Sequence, residues 1–218
     1  MIKRHRLYIF VEGQTEETFV KELLCKHFLR QNQNIDVIPI LVKTSSKGKG
    51  GVVSYGKIKP QLLKFYNDSN AFVTTMFDLY GLPADFPGKS SIPTTANLFE
   101  KAEYLEQQMG ADIGIQNFIP NLLVHEFEGL LYSNPQAFLE YFDQSTVEQL
   151  QSERESFPSP EHINDSPITA PSKRILRCCP GYDKPLHGSL IAMDIGLDTI
   201  RKQCQHFDKW LTKLENIK

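Results

Sequence analysis

Several features common in other protein classes are missing from this sequence. No stretch approaches the roughly 18 uncharged apolar residues that a membrane-spanning helix requires. The apolar run near the N-terminus is too short for a secretory leader and ends at an acid. The four cysteines, Cys25, Cys178, Cys179 and Cys204, form no C-x-x-C pair. Together these absences argue against a disulfide framework and predict reduced thiols in a cytoplasmic protein. A zinc site from Cys178, Cys179, His187 and Cys204 would have a spacing that matches no common pattern, and we set it aside. Net charge is nearly absent as well, at −2. That argues against a binder working through bulk charge while leaving room for a local basic patch. Low-complexity tracts and internal repeats are also missing.

What is present is an alternation of short apolar runs and helical patterns over 218 residues, enough for one sizeable core. Leu7 to Val11 reads as a first strand. Thr15 can open a helix whose Phe19, Val20, Leu23, Leu24 and Phe28 share one face. Val37 to Val42 reads as a second strand, with Pro39 marking an edge or a bulge. A basic loop from Lys43 to Gly51 follows, then a helix over 57–67 burying Ile58, Leu62 and Phe65. Ala71 to Phe77 is apolar on both faces and so predicts a central strand. A helix over 94–109 and a fourth strand over 118–124 come next, with helices continuing to about Arg154. Residues 156–171 read as a loop. A helical tail over 189–217, bent near Gly196, turns Ile200, Cys204, Phe207, Leu211 and Leu214 inward. This alternation predicts an α/β fold: a small parallel sheet of about four strands, helices on both faces and a C-terminal helical extension. The expected division is a core over 1–135 and a helical extension over 136–218, packed as one unit.

The acids carry the chemistry. The first strand runs into Glu12-Gly13 and the third into Asp78, so two strands deliver one carboxylate each to the same edge of the sheet. In open α/β sheets the carboxyl edge is where ligands bind. Carboxylates there suit a hard ion such as magnesium, and two such ions can clamp the oxygens of a phosphodiester. Glu126 and Glu128 alternate across Phe127. On an extended segment they would share a face; at a helix start they would not, and one would be a cap. Glu16 and Glu17 suit the first turn of a helix, and a solvated capping role is the expectation for both.

At this point the residues carry a resemblance. Val11-Glu12-Gly13-Gln14-Thr15-Glu16 resembles the first motif of the Toprim superfamily, the metal-binding domain of topoisomerases, primases and overcoming-lysogenization-defect nucleases. The rest is similar to one Toprim-like bacterial family of unassigned function whose members are about this long. The matching motifs are Asp78-Leu79-Tyr80-Gly81-Leu82-Pro83, Phe86-Pro87-Gly88, His125-Glu126-Phe127-Glu128, Pro171-Ser172-Lys173-Arg174, Tyr182-x-Lys184 and His187-Gly188, which cover nearly the whole chain. The resemblance implies a Rossmann-like Toprim fold and a nuclease-type role dependent on Mg2+ or Mn2+. It also implies an ATPase partner of the AAA or ABC type encoded nearby, in a two-component antiphage or DNA-processing system. Carried over by position, Glu12 is the motif-one acid and Asp78 the first acid of a D-x-D motif. Tyr80 stands where the second acid is expected. Asp85, Glu126 or Glu128 could replace it, the site could hold a single ion, or the fold could serve binding without catalysis.

A phosphodiester site also needs cations. Candidates are Lys173, Arg174 and Lys184, with His187 as an acid or base near neutral pH; ordinary surface charge is the competing reading for each. Gly51 to Lys57 has the spacing of a phosphate-binding P-loop. Ile58, however, stands where Ser or Thr should hold magnesium, and the motif lies well after its strand, so nucleotide hydrolysis is rejected. Lys47, Lys49 and Lys57 could still grip a nucleic-acid backbone, with Tyr55 available to stack a base. The reading is a metal-dependent nuclease acting on DNA or RNA through Glu12, Asp78, Glu126 and Glu128. The alternative is a non-catalytic subunit of an ATPase complex. No membrane is involved, and a homo-oligomer is left open.

Overall fold

The computed structural model describes residues 4–31, 34–43, 54–65, 67–164 and 168–217. Its elements are β1 (His5–Val11), α1 (Gln14–Phe19), α2 (Cys25–Arg30), β2 (Ile35–Leu41), α3 (Tyr55–Leu62), β3 (Ala71–Asp78), α4 (Leu98–Ile113), β4 (Phe118–Ile119), β5 (Leu122–Leu123), α5 (Glu128–Leu131), α6 (Gln144–Glu155), α7 (Pro171–Cys178), α8 (Ser189–Ile195), α9 (Leu197–Gln203) and α10 (Gln205–Glu215). A π-helical segment, Val20–Leu24, joins α1 to α2, so the first helix runs as one rod with a widened middle turn. The sheet is parallel throughout, in the order β2-β1-β3-β4, with β5 also paired to β3. Pro39 therefore lies in an edge strand, where its missing N–H costs no ladder bond.

Alternation along β1 and β3 builds two cores, because successive side chains leave a strand on opposite faces. Leu7, Ile9, Val11 and Met76 meet Phe19, Val20, Leu24 and Phe28, together with Ile200, Phe207, Trp210, Leu211 and Leu214 of the helical tail. Phe10, Val73 and Phe77 meet Ile58 and Leu62 of α3 and Leu105, Met109 and Ile113 of α4. The tail thus shares a core with β1. Trp210 also donates its indole N–H to Thr74 Oγ1 of β3 at 2.9 Å, and the burial of each such large side chain contributes about 1.5–3 kcal/mol.

The structure refines several expectations. The fourth strand breaks into β4 and β5 because Pro120 has no N–H to give. Thr75 and Asn121 stitch the gap, with Thr75 Oγ1 donating to Asn121 O at 2.6 Å and Asn121 Nδ2 donating to Thr75 O at 3.0 Å. The helix expected from residue 94 begins at Leu98, where Asn97 and Glu100 form a reciprocal capping box, and ends at Gly114 in the left-handed region. Pro171 closes the expected loop by opening α7 in its first turn. The tail bends at Gly196 as expected and breaks again at Cys204. Glu161 caps α10 from a distance in sequence, accepting from the backbone N–H groups of His206 and Phe207 at 2.9 and 3.0 Å.

The P-loop-like segment ends in a helix start that is already filled. Asp85 accepts from Ser54 Oγ at 2.7 Å, Tyr55 N at 2.9 Å and Gly56 N at 3.1 Å. These amide hydrogen bonds lower its carboxyl to about 2, so an acid of the chain itself takes the place a phosphate would have. Asp85 is thereby committed to α3. Lys57 lies in the first turn of α3, whereas Lys47 and Lys49 fall outside the described residues. No helix among the described residues is long and apolar enough to cross a membrane.

Candidate active site

The strand order determines where the site lies. The chain leaves β1 towards β2 on one side and returns to β3 on the other, so the strand order reverses between β1 and β3. A crevice opens outside the carboxyl ends of strands at such a reversal. Glu12 follows β1 and Asp78 ends β3, at this point. Glu12 Oε1 accepts from Asp78 N at 2.8 Å, tying the two strand ends together. Asp78 Oδ1 in turn accepts from Phe127 N at 3.0 Å. The turn that presents Phe127 passes through His125, whose φ of 71° is in the left-handed region, at a cost of about 1–2 kcal/mol. His125 O accepts from Tyr80 N at 3.1 Å, which fixes that turn against the end of β3.

Two further carboxylates complete the cluster. Glu128 opens α5 and is 1% exposed; Glu16 lies in the first turn of α1 and is 2% exposed. Gly13 makes room for the latter, since a Cβ there would stand 2.8 Å from Glu16 Oε2. Between these acids stands the ammonium of Lys184. Lys184 Nζ is 3.0 Å from Glu128 Oε2, 3.2 Å from Glu16 Oε1 and 4.0 Å from Asp78 Oδ2. It also lies 5.9 Å from the centre of the Phe127 ring, a favourable cation–π placement.

Among the described residues, Glu16, Asp78 and Glu128 stand within 4.0 Å of Lys184 Nζ, and the charge of Glu12 acts on Asp78. Burial, followed by the charges of Glu12, Glu16 and Glu128, holds the Asp78 carboxyl well above the usual carboxylate range, with Lys184 opposing. Burial also raises Glu128, again against the pull of Lys184. Burial alone would lower Lys184, but Asp78, Glu128 and Glu16 more than reverse this and keep it charged. Carboxylate oxygens are the donors a hard divalent cation takes, and the donor chemistry of this set fits one. Among the described residues no group of three or more His, Cys, Asp or Glu side chains forms a ready-made metal cage; the ammonium stands among the acids instead.

The remaining candidates separate. Glu126 bonds away from Lys184, though its charge adds to the raising of Glu128. Its Oε2 accepts from Ser172 N at 3.0 Å and steadies the start of α7, while Glu128 opens α5. Lys173 is exposed at the start of α7. Arg174 is buried, donating from Nε to Thr169 O at 2.6 Å with its guanidinium 5.1 Å from the centre of the Phe157 ring. His187 Nδ1 accepts from Asp183 N at 2.9 Å, and its ring lies against Tyr141, Phe142 and Tyr182. Glu16 is the member that sequence reasoning missed. A first-turn acid is ordinarily a solvated cap, and nothing in the local pattern marks this one as buried.

Fold and site together define an α/β protein with a carboxylate–lysine cluster at the switch point of a parallel sheet. The chain belongs to the family described as Domain of unknown function (DUF4276), whose model matches residues 11–215. Among solved structures it is similar to the C-terminal region of the Xanthomonas campestris pv. campestris OLD protein, at 15% identity and a TM-score of 0.38 over 97% of this chain and 98% of that one. A second determination of the same region matches at 14% identity and a TM-score of 0.36, over 96% of this chain and 98% of that one. None of the curated proteins matches this chain.

Proposed function

We propose that this chain is a Toprim-type phosphodiesterase, dependent on Mg2+ or Mn2+, that cuts DNA or RNA as the effector of a two-component system with an AAA- or ABC-type ATPase. One observation carries the reading: three carboxylates, two of them almost wholly buried, converge on the Lys184 ammonium at the switch point, with Glu12 bonded to the backbone of Asp78. Buried acids are costly, and a cation taken up by the site would offset the repulsion that raises Asp78. Glu12, Asp78, Glu16 and Glu128 would hold the metal. When bound, a metal polarises a phosphoryl oxygen and makes water a better nucleophile.

The chain's own residues supply the rest. Lys184 would provide positive charge for phosphate at the same point, and exposed Lys173 is a further candidate cation. His187, with Nδ1 engaged by Asp183 N, carries the proton of its neutral ring on Nε2 and is the candidate for proton exchange. Arg174 serves by fixing α7, and Glu126 by holding the start of that helix. The nucleic-acid backbone would lie along Lys47, Lys49 and Lys57.

A second reading is a non-catalytic subunit of the ATPase complex. It is favoured by Lys184, which partly neutralises the acids without a metal, and by Tyr80 in place of a second D-x-D acid. The deciding experiment is cleavage of labelled single- and double-stranded DNA and RNA with Mg2+ or Mn2+, with and without the ATPase encoded nearby. Wild type is compared with Glu12→Gln. The proposal expects metal-dependent cutting that the variant loses. No cutting by folded wild-type protein in any combination refutes it and leaves the binding subunit.

A further inference from the structure

Two features of the acidic cluster are unexplained by a static metal cage. One is the ammonium within it. The other is the hydroxyl of Tyr182, which is buried and has no hydrogen-bond partner among the described residues. A hydroxyl left in this way costs about 1–3 kcal/mol, and phenylalanine at the same position would avoid the cost. The surroundings are shaped to admit it. A Cβ on Gly188 would stand 2.9 Å from the Tyr182 oxygen and 3.2 Å from Thr15 Cγ2. Thr15 and Phe127, which also borders this space, immediately precede Glu16 and Glu128. Burial first, and then the charge of Glu128, hold the phenol well above its ordinary range, so it remains a donor beside the carboxylates. In the arrangement described, Lys184 takes Glu128 and Tyr182 has no acceptor.

We propose that Lys184 is a resident counter-ion that a divalent metal must displace, and that Tyr182 takes over Glu128 when the ammonium leaves. The inference rests on the metal-binding part of the function proposed above and extends it to how the site is loaded. The segment carrying both residues suits such a movement. Gly181 has a φ of 84°, and no atom lies within 4 Å of the place its Cβ would take. Lys184–Gly188 is a single π-helical turn whose Pro185 and Leu186 are exposed. The Lys184 side chain is already 36% exposed. Outside the cluster it is placed to meet an anion such as a phosphodiester. An empty site would then hold its lysine on the acids, and a loaded site would present that lysine to substrate.

Two measurements test this. The first is calorimetric titration of Mn2+ and Mg2+ into wild type and Lys184→Met, a variant that keeps the side-chain length and removes the charge. The expected result is metal binding roughly tenfold tighter in the variant, the size of a competition worth about 1.4 kcal/mol. The second uses wild type alone, so it does not depend on the variant folding. An amine-reactive acetyl ester labels surface lysines, and mass spectrometry follows Lys184 with and without Mn2+. Labelling of Lys184 is expected to speed up several-fold when Mn2+ is bound. Equal or weaker metal binding by Lys184→Met overturns the proposal, as does Lys184 labelling that bound Mn2+ leaves unchanged. In either case metal-dependent cleavage can still stand, since the parent reading needs only that metal binds. If neither protein binds metal, the inference and the metal-dependent function fall together.

Discussion

Replacing Asp78 by asparagine should make the metal-free protein more stable while abolishing its metal binding. Asn Oδ1 can still accept from Phe127 N, which lies 3.0 Å from Asp78 Oδ1 in the native chain, so the local geometry has no reason to change. The electrostatics do change. The attraction between Asp78 Oδ2 and Lys184 Nζ acts over 4.0 Å, and Lys184 spends more of its charge on Glu128 at 3.0 Å and Glu16 at 3.2 Å. A unit pair at 4 Å contributes about 4 kcal/mol at an effective dielectric constant of 20. Repulsion from three acids and the cost of burial oppose it, and they prevail, because the carboxyl is held well above its ordinary value of 3.8. An acid raised in this way keeps its proton when folded at pH values where the unfolded chain has released it. Stability therefore falls as pH rises above the unfolded value, by at most about 1.4 kcal/mol per pH unit for each such group. Glu128 adds to the same trend from 4.5 upward.

A neutral amide removes the Asp78 share. We expect a gain on the order of 1 kcal/mol at pH 7.5, which is roughly 2–4 °C in Tm for a chain of this size. The assay is thermal and urea unfolding of both proteins in chelator from pH 5 to 8.5, with Mn2+ calorimetry alongside. His206 titrates in the same range. Burial lowers it, but the hydrogen bond it donates to Glu106 more than reverses this and raises it above 6.5. Its contribution is thus present below about pH 6.5 and lost as pH climbs through the folded value. Both proteins carry His206, so the difference between their curves isolates Asp78. An Asp78→Asn protein that is less stable at pH 7.5, or that has an unchanged pH slope, would refute the charge accounting. Unchanged Mn2+ affinity would remove Asp78 from the site.

The other predictions concern positions that shape the site and its support. Tyr182→Phe should leave Tm unchanged or raise it slightly, since the hydroxyl it removes has no partner among the described residues; a fall of more than about 1 kcal/mol in urea melts would mean the hydroxyl is satisfied in solution. Gly188→Ala should destabilise by about 1–3 kcal/mol, because its methyl group would meet the Tyr182 oxygen at 2.9 Å. Part of that loss should return in the double variant with Tyr182→Phe, and strict additivity in the cycle would show that the two do not touch. Glu161→Ala should cost about 2 kcal/mol by uncapping α10, read as a lowered urea midpoint; an unchanged midpoint would show that water replaces the cap at no cost.

Much of this protein was legible along the chain. Leu7, Ile9 and Val11 alternate with Tyr8 and Phe10, and that period alone assigns a strand with two buried faces. Phe19, Val20, Leu24 and Phe28 recur at helical spacing, as do Phe207, Leu211 and Leu214, and each group is buried where its period places it. The strand-then-acid pattern placed Glu12 and Asp78 at one edge because parallel strands share a direction. These are local regularities, and sequence spacing carries them directly.

Tertiary structure decided what spacing cannot express. Glu16 and Glu17 are both first-turn acids, yet only Glu16 is nearly fully buried and faces Lys184, because Gly13 and the helices over β1 enclose that side of α1. Glu126 and Glu128 differ by two positions, yet one bonds the start of α7 and the other enters the cluster, since Glu126 lies before the helix start and Glu128 is the first residue of α5. Asp85, an acid that could have served the metal, is spent on α3. Lys184 reaches the acids from far along the chain only because the tail packs against β1 and α1. Periodicity reports which face of an element is buried. Which charges then meet depends on contacts between residues distant in sequence, and these exist only once the elements are assembled.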